Sequence, residues 1–352
     1  MAILHPTLDL TMESIHDAPS TSDELPSAPA YIGALDIGGT KIAASIANAD
    51  GPLARVTQPT VKTGSERAVA EQAVAMLRAA CRQARVAPDQ VRDLGVASCG
   101  PFVQIDGALA LVTPNLCGGI GAPGLPNDWQ SIPLERVLRE HYPNVTIDND
   151  CVAALIAERT FGAVQDEPNC AYVTWSTGIG FGLCVDGHVL RGKRGNAGHA
   201  GHMLMSERSD ALCGCGNRGD LESLVSGRNL EQRFGKPAAE LFAAAAAGRV
   251  AERAILAQAA HWFGRALYNL VAALDLRRFA IGGGVWTHHA DWLAPLVQAE
   301  IESHLPVLTQ GVTVVPARLG SLVGDIGAFC LAMPSQWLPD WHAREPWRRL
   351  EP

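Results

Sequence analysis

One stretch of the chain, residues 198–222, concentrates side chains that could bind a metal ion. It contains His199 and His202 and, eleven residues after the second histidine, a Cys213-Gly-Cys215 pair. Two carboxylates close the stretch, Asp220 and Glu222. A Cys-Gly-Cys turn brings two thiolates together, and with an imidazole and a carboxylate they would form a tetrahedral zinc site. The alternative is a flexible glycine-rich loop with idle thiols, because zinc-binding cysteine pairs more often have two residues between them.

A glycine-rich turn near the start of the chain could hold a phosphate group. It reads Asp36-Ile-Gly-Gly-Thr-Lys41 and lies between two strand-like segments, residues 31–36 and 42–47. This order predicts a hairpin, not the strand-to-helix turn of a dinucleotide site or a Walker loop. Its glycines would let backbone N–H groups approach an anion, Thr40 would add a donor, and Asp36 could reach a hydrated magnesium ion. Taken alone, the motif is equally typical of an ordinary tight turn.

A second turn, Thr177-Gly-Ile-Gly-Phe-Gly182, repeats this pattern. One strand-like segment, residues 171–176, precedes the turn, and another follows it and ends at Val185. Two glycine hairpins, each opening an α/β half, indicate a duplicated architecture with phosphates held between the halves.

An Asn149-Asp150 pair lies between the two hairpins, where a strand-like segment at 144–148 runs into a helical pattern over 151–160. Aspartate at the start of a helix is most often only a cap. The functional interpretation is a general base, which the positive end of the helix dipole would keep ionised at neutral pH.

The elements that must position these residues follow from the apolar pattern. Helices are predicted over 66–85, 134–141, 238–247 and 251–274, and a closing helix from Gly324. Further strands are predicted at 91–98, 279–285 and 312–315. The segment 113–133, rich in Gly and Pro, is predicted to be a loop that packs through Trp129. This order of strands and helices predicts an α/β fold.

The composition limits the classes of function. Of the 352 residues, 47% are hydrophobic and 18% charged, which is typical of a globular chain with room for two domains. A formal net charge of −8 gives no reason to expect nucleic acid or a membrane as partner. The nine cysteines lie mostly singly in apolar segments, which indicates free thiols and a cytoplasmic location.

The two ends of the chain differ from its body. Residues 1–29 lack a basic start and a long apolar run, so they are predicted to be a mobile tail and not a signal peptide or anchor. Residues 334–352 contain Trp337, Trp341 and Trp347. We expect this tail to pack on the rest of the protein. The alternative is that its tryptophans form a surface that binds a partner.

Seven motifs in order resemble the ROK family of sugar kinases and repressors, which are bacterial members of the actin-like ATPase superfamily. They are LDIGGTK at 35–41, TPNL at 113–116, IDND at 147–150, STGIGFG at 176–182, GHAGH at 198–202, CGCGNRGDLE at 213–222 and IGGGV at 281–285. The resemblance implies two actin-like (ribonuclease H-like) α/β domains, here residues 30–148 and 149–333, with the closing helix returning to the first. It further implies that ATP and a sugar bind in the cleft between them, and that the protein is a homodimer.

The resemblance also implies roles for single residues. Asp150 would be the catalytic base of phosphoryl transfer. The sugar would be bound by Asn115, Asn149, Asp150, His199, His202 and Glu222. ATP and Mg²⁺ would be bound by Asp36, Gly38, Gly39, Thr40, Lys41, Thr177, Gly178, Gly180, Gly282, Gly283 and Gly284, the last three as a wall for adenosine. A structural Zn²⁺ would be bound by His202, Cys213, Cys215 and Asp220.

Two positions depart from the family pattern. The chain has His199 where the family usually has Glu, and Asp220 where it usually has a third cysteine. Aspartate oxygen binds zinc at much the same length as imidazole nitrogen, so zinc is still expected. A glutamate only accepts hydrogen bonds, whereas a neutral imidazole has one donor and one acceptor. We therefore expect 6-phosphorylation of a glucose-like sugar altered near carbons 1 to 3, such as the amino sugar kanosamine, with glucose as the alternative.

A sugar-responsive repressor is the alternative from another class, because the family includes regulators with a DNA-binding helix-turn-helix in front. The segment before the first strand is short and acidic and contains Pro26 and Pro29. It cannot form a compact head with a basic face. The predicted function is therefore an ATP-dependent sugar kinase.

Overall fold

The computed structural model describes residues 30–120 and 124–350. The predicted tail at 1–29 and part of the predicted loop at 113–133 lie outside these ranges. The strands are β1 (Tyr31–Ile37), β2 (Lys41–Asn48), β3 (Gly51–Pro59), β4 (Val91–Ser98), β5 (Phe102–Ile105), β6 (Ala108–Leu111), β7 (Asn144–Asn149), β8 (Cys170–Trp175), β9 (Ile179–Val185), β10 (His188–Val189), β11 (Arg278–Gly282) and β12 (Thr313–Pro316). The α-helices are α1 (Ala68–Ala84), α2 (Leu134–Arg139), α3 (Asp150–Phe161), α4 (Leu221–Val225), α5 (Gly227–Phe234), α6 (Ala238–Ala246), α7 (Val250–Leu274), α8 (Gly284–Thr287), α9 (Ala290–Glu302), α10 (Pro306–Thr309), α11 (Val323–Ala332) and α12 (Leu338–Arg344).

Two five-stranded sheets of related topology form the framework. The first has the order β3-β2-β1-β4-β7 and the second β10-β9-β8-β11-β12. In each sheet one edge is an antiparallel meander and the remaining strands run parallel. This confirms the predicted α/β class and the repeat of a glycine hairpin in each half.

Helix α3 connects the two sheets. It packs against β8 and β9 of the second sheet and also against β4 and β7 of the first. Helix α11 lies beside it and packs on β1 and β4 of the first sheet. A Cβ atom on Gly95 would lie 1.9 Å from the carbonyl oxygen of Ala328, so only glycine allows α11 to approach β4 so closely. The predicted domain limits at 148/149 fall at the junction of β7 and α3 and stay a prediction.

The structure corrects one predicted element and adds others. The strand expected over 279–285 ends at Gly282, and α8 begins at Gly284. Gly283 has φ +88°, which breaks the strand. The prediction also missed the edge strand β3 and the hairpin of β5 and β6, whose apolar patterns are short. Among the described residues, no helix combines the length and apolar composition needed to cross a bilayer.

The C-terminal tail packs on the body, as expected. Trp337, Trp341 and Trp347 are almost fully buried in one core cluster that also contains Phe161 and Phe329. The indole N–H of Trp341 donates to the carbonyl oxygen of Ala49, 3.1 Å away, so the polar edge of the ring is paired as well. The tail therefore completes the core beside α3 and α11.

Replacing Trp341 with alanine tests this packing. The indole is fully buried, and truncating a buried tryptophan typically lowers the free energy of unfolding by about 3–5 kcal/mol. Trp292→Ala is the matched control, because that ring is 37% exposed. Denaturant unfolding followed by circular dichroism measures both, and an equal loss in the two variants would contradict a structural role for the tail.

Candidate active site

A cavity of about 660 Å³ opens between the two halves. We name it the central cavity. It is lined by every residue predicted to bind a sugar: Asn115, Asn149, Asp150, His199, His202 and Glu222. Asn115 comes from a loop after β6, Asn149 and Asp150 from the β7–α3 junction, His199 and His202 from the segment between β10 and α4, and Glu222 from α4. The fold therefore brings together the residues that are far apart in sequence.

The β7–α3 junction fixes Asn149 and Asp150. The side chain of Asn149 caps α3 by accepting a hydrogen bond from the N–H of Cys151 at 3.0 Å. The same N–H donates to Oδ1 of Asp150 at 2.8 Å. Both side chains are thus held at the first turn of the helix, and the carboxylate is aimed at the cavity it lines.

Opposing effects act on the pKa of Asp150. Burial raises it, although part of the residue is open to the cavity, and the hydrogen bonds from Cys151 and Asn149 oppose this increase. Burial acts in the opposite direction to the helix dipole, which favours the ionised form, and burial is the largest effect on the pKa of Asp150. A carboxylate with a raised pKa is a stronger proton acceptor while it remains ionised.

His199 presents an unpaired nitrogen. Its Nε2 atom is buried and has no hydrogen-bond partner among the described residues. The ring lies against Gly100, where a Cβ atom would be 3.1 Å from Nε2. Burial, followed by the charge of His202, lowers the pKa of His199, so the imidazole is neutral near pH 7. A buried polar atom without a partner is costly, which marks Nε2 as a position for a ligand group.

The predicted zinc residues form one cluster. Ligand atoms of His202, Cys213, Cys215 and Asp220 all lie within 4.8 Å of one another. Nδ1 of His202 is 3.2 Å from Oδ2 of Asp220 and 3.6 Å from Sγ of Cys213, and Sγ of Cys215 is 3.5 Å from the same Oδ2. Bond lengths of about 2.0–2.3 Å around a tetrahedral zinc give ligand separations of roughly 3.3–3.8 Å. The three separations in the cluster lie near this range, so the donor set and its spacing suit a zinc ion.

The two glycine hairpins meet at a second space of about 250 Å³, the hairpin cavity. Gly39 and Thr40 line it from the first hairpin, and Thr177 and Gly178 from the second. A Cβ atom on Gly39 would lie 2.8 Å from Cβ of Asn115, and one on Gly178 would lie 2.8 Å from Oε2 of Glu222. A larger residue at Gly39 would displace Asn115, and one at Gly178 would displace the carboxylate of Glu222.

Other predicted phosphate residues have different surroundings. The N–H of Gly38 donates to the carbonyl oxygen of Lys41 within the hairpin, so it is not directed at a ligand. Lys41 does not line the hairpin cavity. Gly180 lines the central cavity, but a Cβ atom there would lie 2.4 Å from Sγ of Cys151. That glycine is needed for packing against α3.

Asp36 lies between the first hairpin and α11. A Cβ atom on Gly324, in the first turn of α11, would be 2.5 Å from its Oδ2 atom. Burial, followed by the nearby charges of Asp325 and Asp150, raises the pKa of Asp36 to about 7 against the lowering effect of Lys41 and Arg55. Oxygen ligands of this kind suit a hard cation such as Mg²⁺.

A third space of about 580 Å³, the outer cavity, extends from the second hairpin towards α6 and α8. Of the three glycines predicted as an adenosine wall, Gly284 lines it. Gly282 faces Tyr172 and Ala317 instead, and Gly283 lies against the backbone of Trp175. Apolar atoms and the side chains of His288 and His289 supply most of the remaining wall.

Sequence reasoning missed two cations at these cavities. Arg228 lines all three, and Lys62 lines the hairpin cavity. The helix start at Ser226-Gly-Arg-Asn229 was a usable signal, because Ser226 is an N-cap that accepts from the N–H of Asn229. It would have placed Arg228 in the first turn of a helix that follows the cysteine pair.

Comparisons with known proteins agree with this geometry. Residues 32–334 match the ROK family. A glucokinase of Aeropyrum pernix is 27% identical over 330 residues, which cover 86% of this chain and 97% of that protein. An N-acetylmannosamine kinase of Haemophilus influenzae is 30% identical over 303 residues, which cover 84% of this chain and 93% of that protein.

Solved structures extend the comparison. A ROK hexokinase from Thermus thermophilus aligns with a TM-score of 0.71 at 34% identity, covering 86% of this chain and 97% of that chain. A ROK glucokinase from Streptomyces griseus, in complex with glucose and AMPPNP, aligns with a TM-score of 0.62 at 27% identity. The alignment covers 86% of this chain and 99% of that chain. The two sheets therefore form the two α/β units of the actin-like ATPase fold.

The raised pKa of Asp36 predicts a pH dependence of stability. Between the ordinary carboxyl pKa of about 4 and about 7, the folded protein holds a proton that the unfolded chain releases. Its stabilising contribution is complete at low pH and is lost as the pH rises through about 7. The melting temperature of Asp36→Asn should therefore exceed that of the wild type by a margin that grows over this range. Scanning calorimetry without Mg²⁺ measures it, and a margin independent of pH would contradict the assignment.

Proposed function

The chain belongs to the ROK family, and from this premise we propose that it is an ATP-dependent kinase acting on the 6-hydroxyl of a glucose-like hexose. The observation that carries the proposal is that the residues predicted to bind sugar line one cavity. That cavity shares Asn115, Thr177 and Gly178 with the hairpin cavity. A sugar in the first and the phosphates of ATP in the second would meet at this common wall. The names of the kinase relatives support the same activity.

The chemistry assigns the proton to Asp150. As the sugar oxygen forms its bond to the γ-phosphorus and the bond to ADP breaks, the hydroxyl proton passes to the Asp150 carboxylate. Oδ1 of Asp150 is fixed by the N–H of Cys151, so the base is oriented before the sugar binds. Mg²⁺, when bound, neutralises phosphate charge, and Asp36 is the residue that would hold it through water.

The outer cavity is the proposed site for adenosine. Gly284 leaves one side open for a flat base, and Ala238 and Ala239 line the cavity from α6. Further parts of the proposal are a homodimer and a cytoplasmic location. All nine cysteines are free, which supports a reducing compartment.

Asp150→Asn tests the base. The amide is isosteric and cannot take the proton, so we expect kcat to fall on the order of 10²–10⁴-fold. Binding of a non-hydrolysable ATP analogue and the melting temperature should stay near wild-type values. Asp106→Asn makes the same chemical change at an exposed turn outside the cavities and serves as the control. Turnover of Asp150→Asn within a few-fold of wild type would eliminate it as the base.

We propose that the His202, Cys213, Cys215 and Asp220 cluster holds one structural zinc. Four protein ligands leave no open position for a substrate, so a bound zinc would order the loop instead of activating water. Nδ1 of His202 is turned to the cluster, while the residue also lines the central cavity. The cluster would therefore fix the orientation of a sugar-binding ring.

Elemental analysis of protein purified without added metal should find about one zinc per chain. A chelator should lower the melting temperature and the activity together, because binding of the ion and ordering of the loop are coupled. Cys215→Ser should lose the metal, whereas Cys330→Ser, a thiol in α11 outside the cluster, should keep it. Fully active protein without zinc would refute the structural role.

We propose that His199 selects the sugar. Its buried Nε2 atom has no partner among the described residues, and the ring is neutral. A site built around such an atom rejects ligands that leave it unpaired. This supports a glucose-like sugar altered near carbons 1 to 3, with kanosamine (3-amino-3-deoxyglucose) as the specific candidate and glucose as the alternative.

Comparison of kcat/KM for glucose, glucosamine, N-acetylglucosamine, mannose and kanosamine in wild type and His199→Glu tests this selection. We expect an altered sugar to be preferred by the wild type, and the ranking to shift towards glucose in the variant. A wild type that prefers glucose, with the same ranking in His199→Glu, would show that position 199 does not set specificity.

A further inference from the structure

Arg228 lies where the three cavities meet. Arg228 lines the central cavity, the hairpin cavity and the outer cavity. Among the residues lining these spaces it is the only charged side chain common to all three: Asp150 lines the central cavity alone, Lys62 the hairpin cavity alone, and Glu231 the outer cavity alone. A cation at this junction lies where the sugar, the phosphate chain and the nucleoside of the proposed reaction would come together.

The backbone of Arg228 is anchored to the second glycine hairpin. The N–H of Gly227 donates to the carbonyl oxygen of Ser176 at 2.8 Å, and the N–H of Arg228 donates to that of Thr177 at 3.3 Å. The first turn of α5 is capped by Ser226. The position of the Arg228 Cα atom is therefore set by the same turn that lines the hairpin cavity.

The side chain of Arg228 crosses from this anchor to the cysteine turn. Its Nη1 atom lies 3.8 Å from the place that a Cβ atom on Gly214 would occupy. Gly214 lies between Cys213 and Cys215, so the absence of a side chain there leaves space for the guanidinium. Arg228 is an exposed residue whose side chain lies along the wall common to the three cavities.

Within the described part of the chain, the Arg228 guanidinium has no hydrogen-bond or ion-pair partner. Glu222, which shares two cavities with it, has its own contacts. Oε2 of Glu222 accepts from the N–H of Ile179 at 2.9 Å, and Oε1 lies 3.4 Å from Sγ of Cys213. The donors of Arg228 are therefore available to an anionic ligand, and a planar guanidinium suits phosphate oxygens.

We propose that Arg228 is a catalytic residue that contacts the transferring γ-phosphoryl group. In the reaction the sugar oxygen bonds to phosphorus, its proton passes to Asp150, and the electron pair of the breaking bond leaves with ADP. Arg228 stays protonated throughout and neutralises the charge on the equatorial phosphoryl oxygens, which is greatest in the transition state. This inference rests on the proposed kinase function and adds a residue that acts on the phosphoryl group itself.

The test compares Arg228→Gln and Arg228→Lys with the wild type, using the full chain and its preferred sugar. An arginine that stabilises this transition state contributes roughly 10³–10⁵-fold to kcat. We expect kcat of Arg228→Gln to fall by at least the lower limit, KM for the sugar to change little, and Arg228→Lys to recover part of the loss. Arg277→Gln is the control, since Arg277 is exposed and lines none of the three cavities.

A binding measurement separates transition-state contact from folding. ADP with aluminium fluoride and the sugar mimics the transferring group, and its affinity should drop in Arg228→Gln while the affinity for ADP alone stays near the wild-type value. Melting temperature and zinc content should be unchanged. Unchanged kcat, or a rise in KM for ATP alone, would overturn the role of Arg228 and leave the kinase assignment standing. A wild type that phosphorylates no sugar would overturn both.

Discussion

The close contact between the start of α3 and strand β9 is the constraint on which the site depends. A Cβ atom on Gly180 would lie 2.4 Å from Sγ of Cys151, and one on Gly182 would lie 2.2 Å from its carbonyl oxygen. These two glycines are two residues apart in β9 and therefore lie on the same face of the sheet. Their missing side chains allow α3 to pack directly on the second sheet. Because α3 also packs on β4 and β7, this contact joins the two halves and places Asp150 at the floor of the cleft between them.

The cleft contains buried carboxylates whose negative charge is unfavourable when no ligand is bound. Burial raises the pKa of both Asp36 and Asp150, and the charge of Asp150 raises the pKa of Asp36 as well. Asp325 contributes to the pKa of Asp36, but it is paired with Arg55 at 2.8 Å. A divalent cation that arrives with phosphate would relieve this repulsion. The same electrostatics that make the empty cleft costly therefore favour the proposed substrates.

The sequence predicted the parts of the site that depend on local order. Glycine hairpins, the Asn149-Asp150 cap and the cysteine turn each lie within a few neighbouring residues, so their spacing is informative. Tertiary contacts decided the rest. Gly283 ends β11 against the backbone of Trp175, and burial is the largest effect on the pKa of Asp150. The position of Arg228 depends on how α5 meets the second hairpin, which no motif contained.

The central proposal is phosphoryl transfer from ATP to a sugar bound in the central cavity. Its most direct test is incubation of the wild-type protein with Mg²⁺, γ-labelled ATP and a panel of hexoses and amino sugars, followed by identification of the labelled product by NMR. We predict label on the 6-oxygen of at least one glucose-like sugar, with ADP formed in equal amount. ATP hydrolysis without sugar phosphate, or no transfer to any sugar in the panel, would contradict the proposed activity.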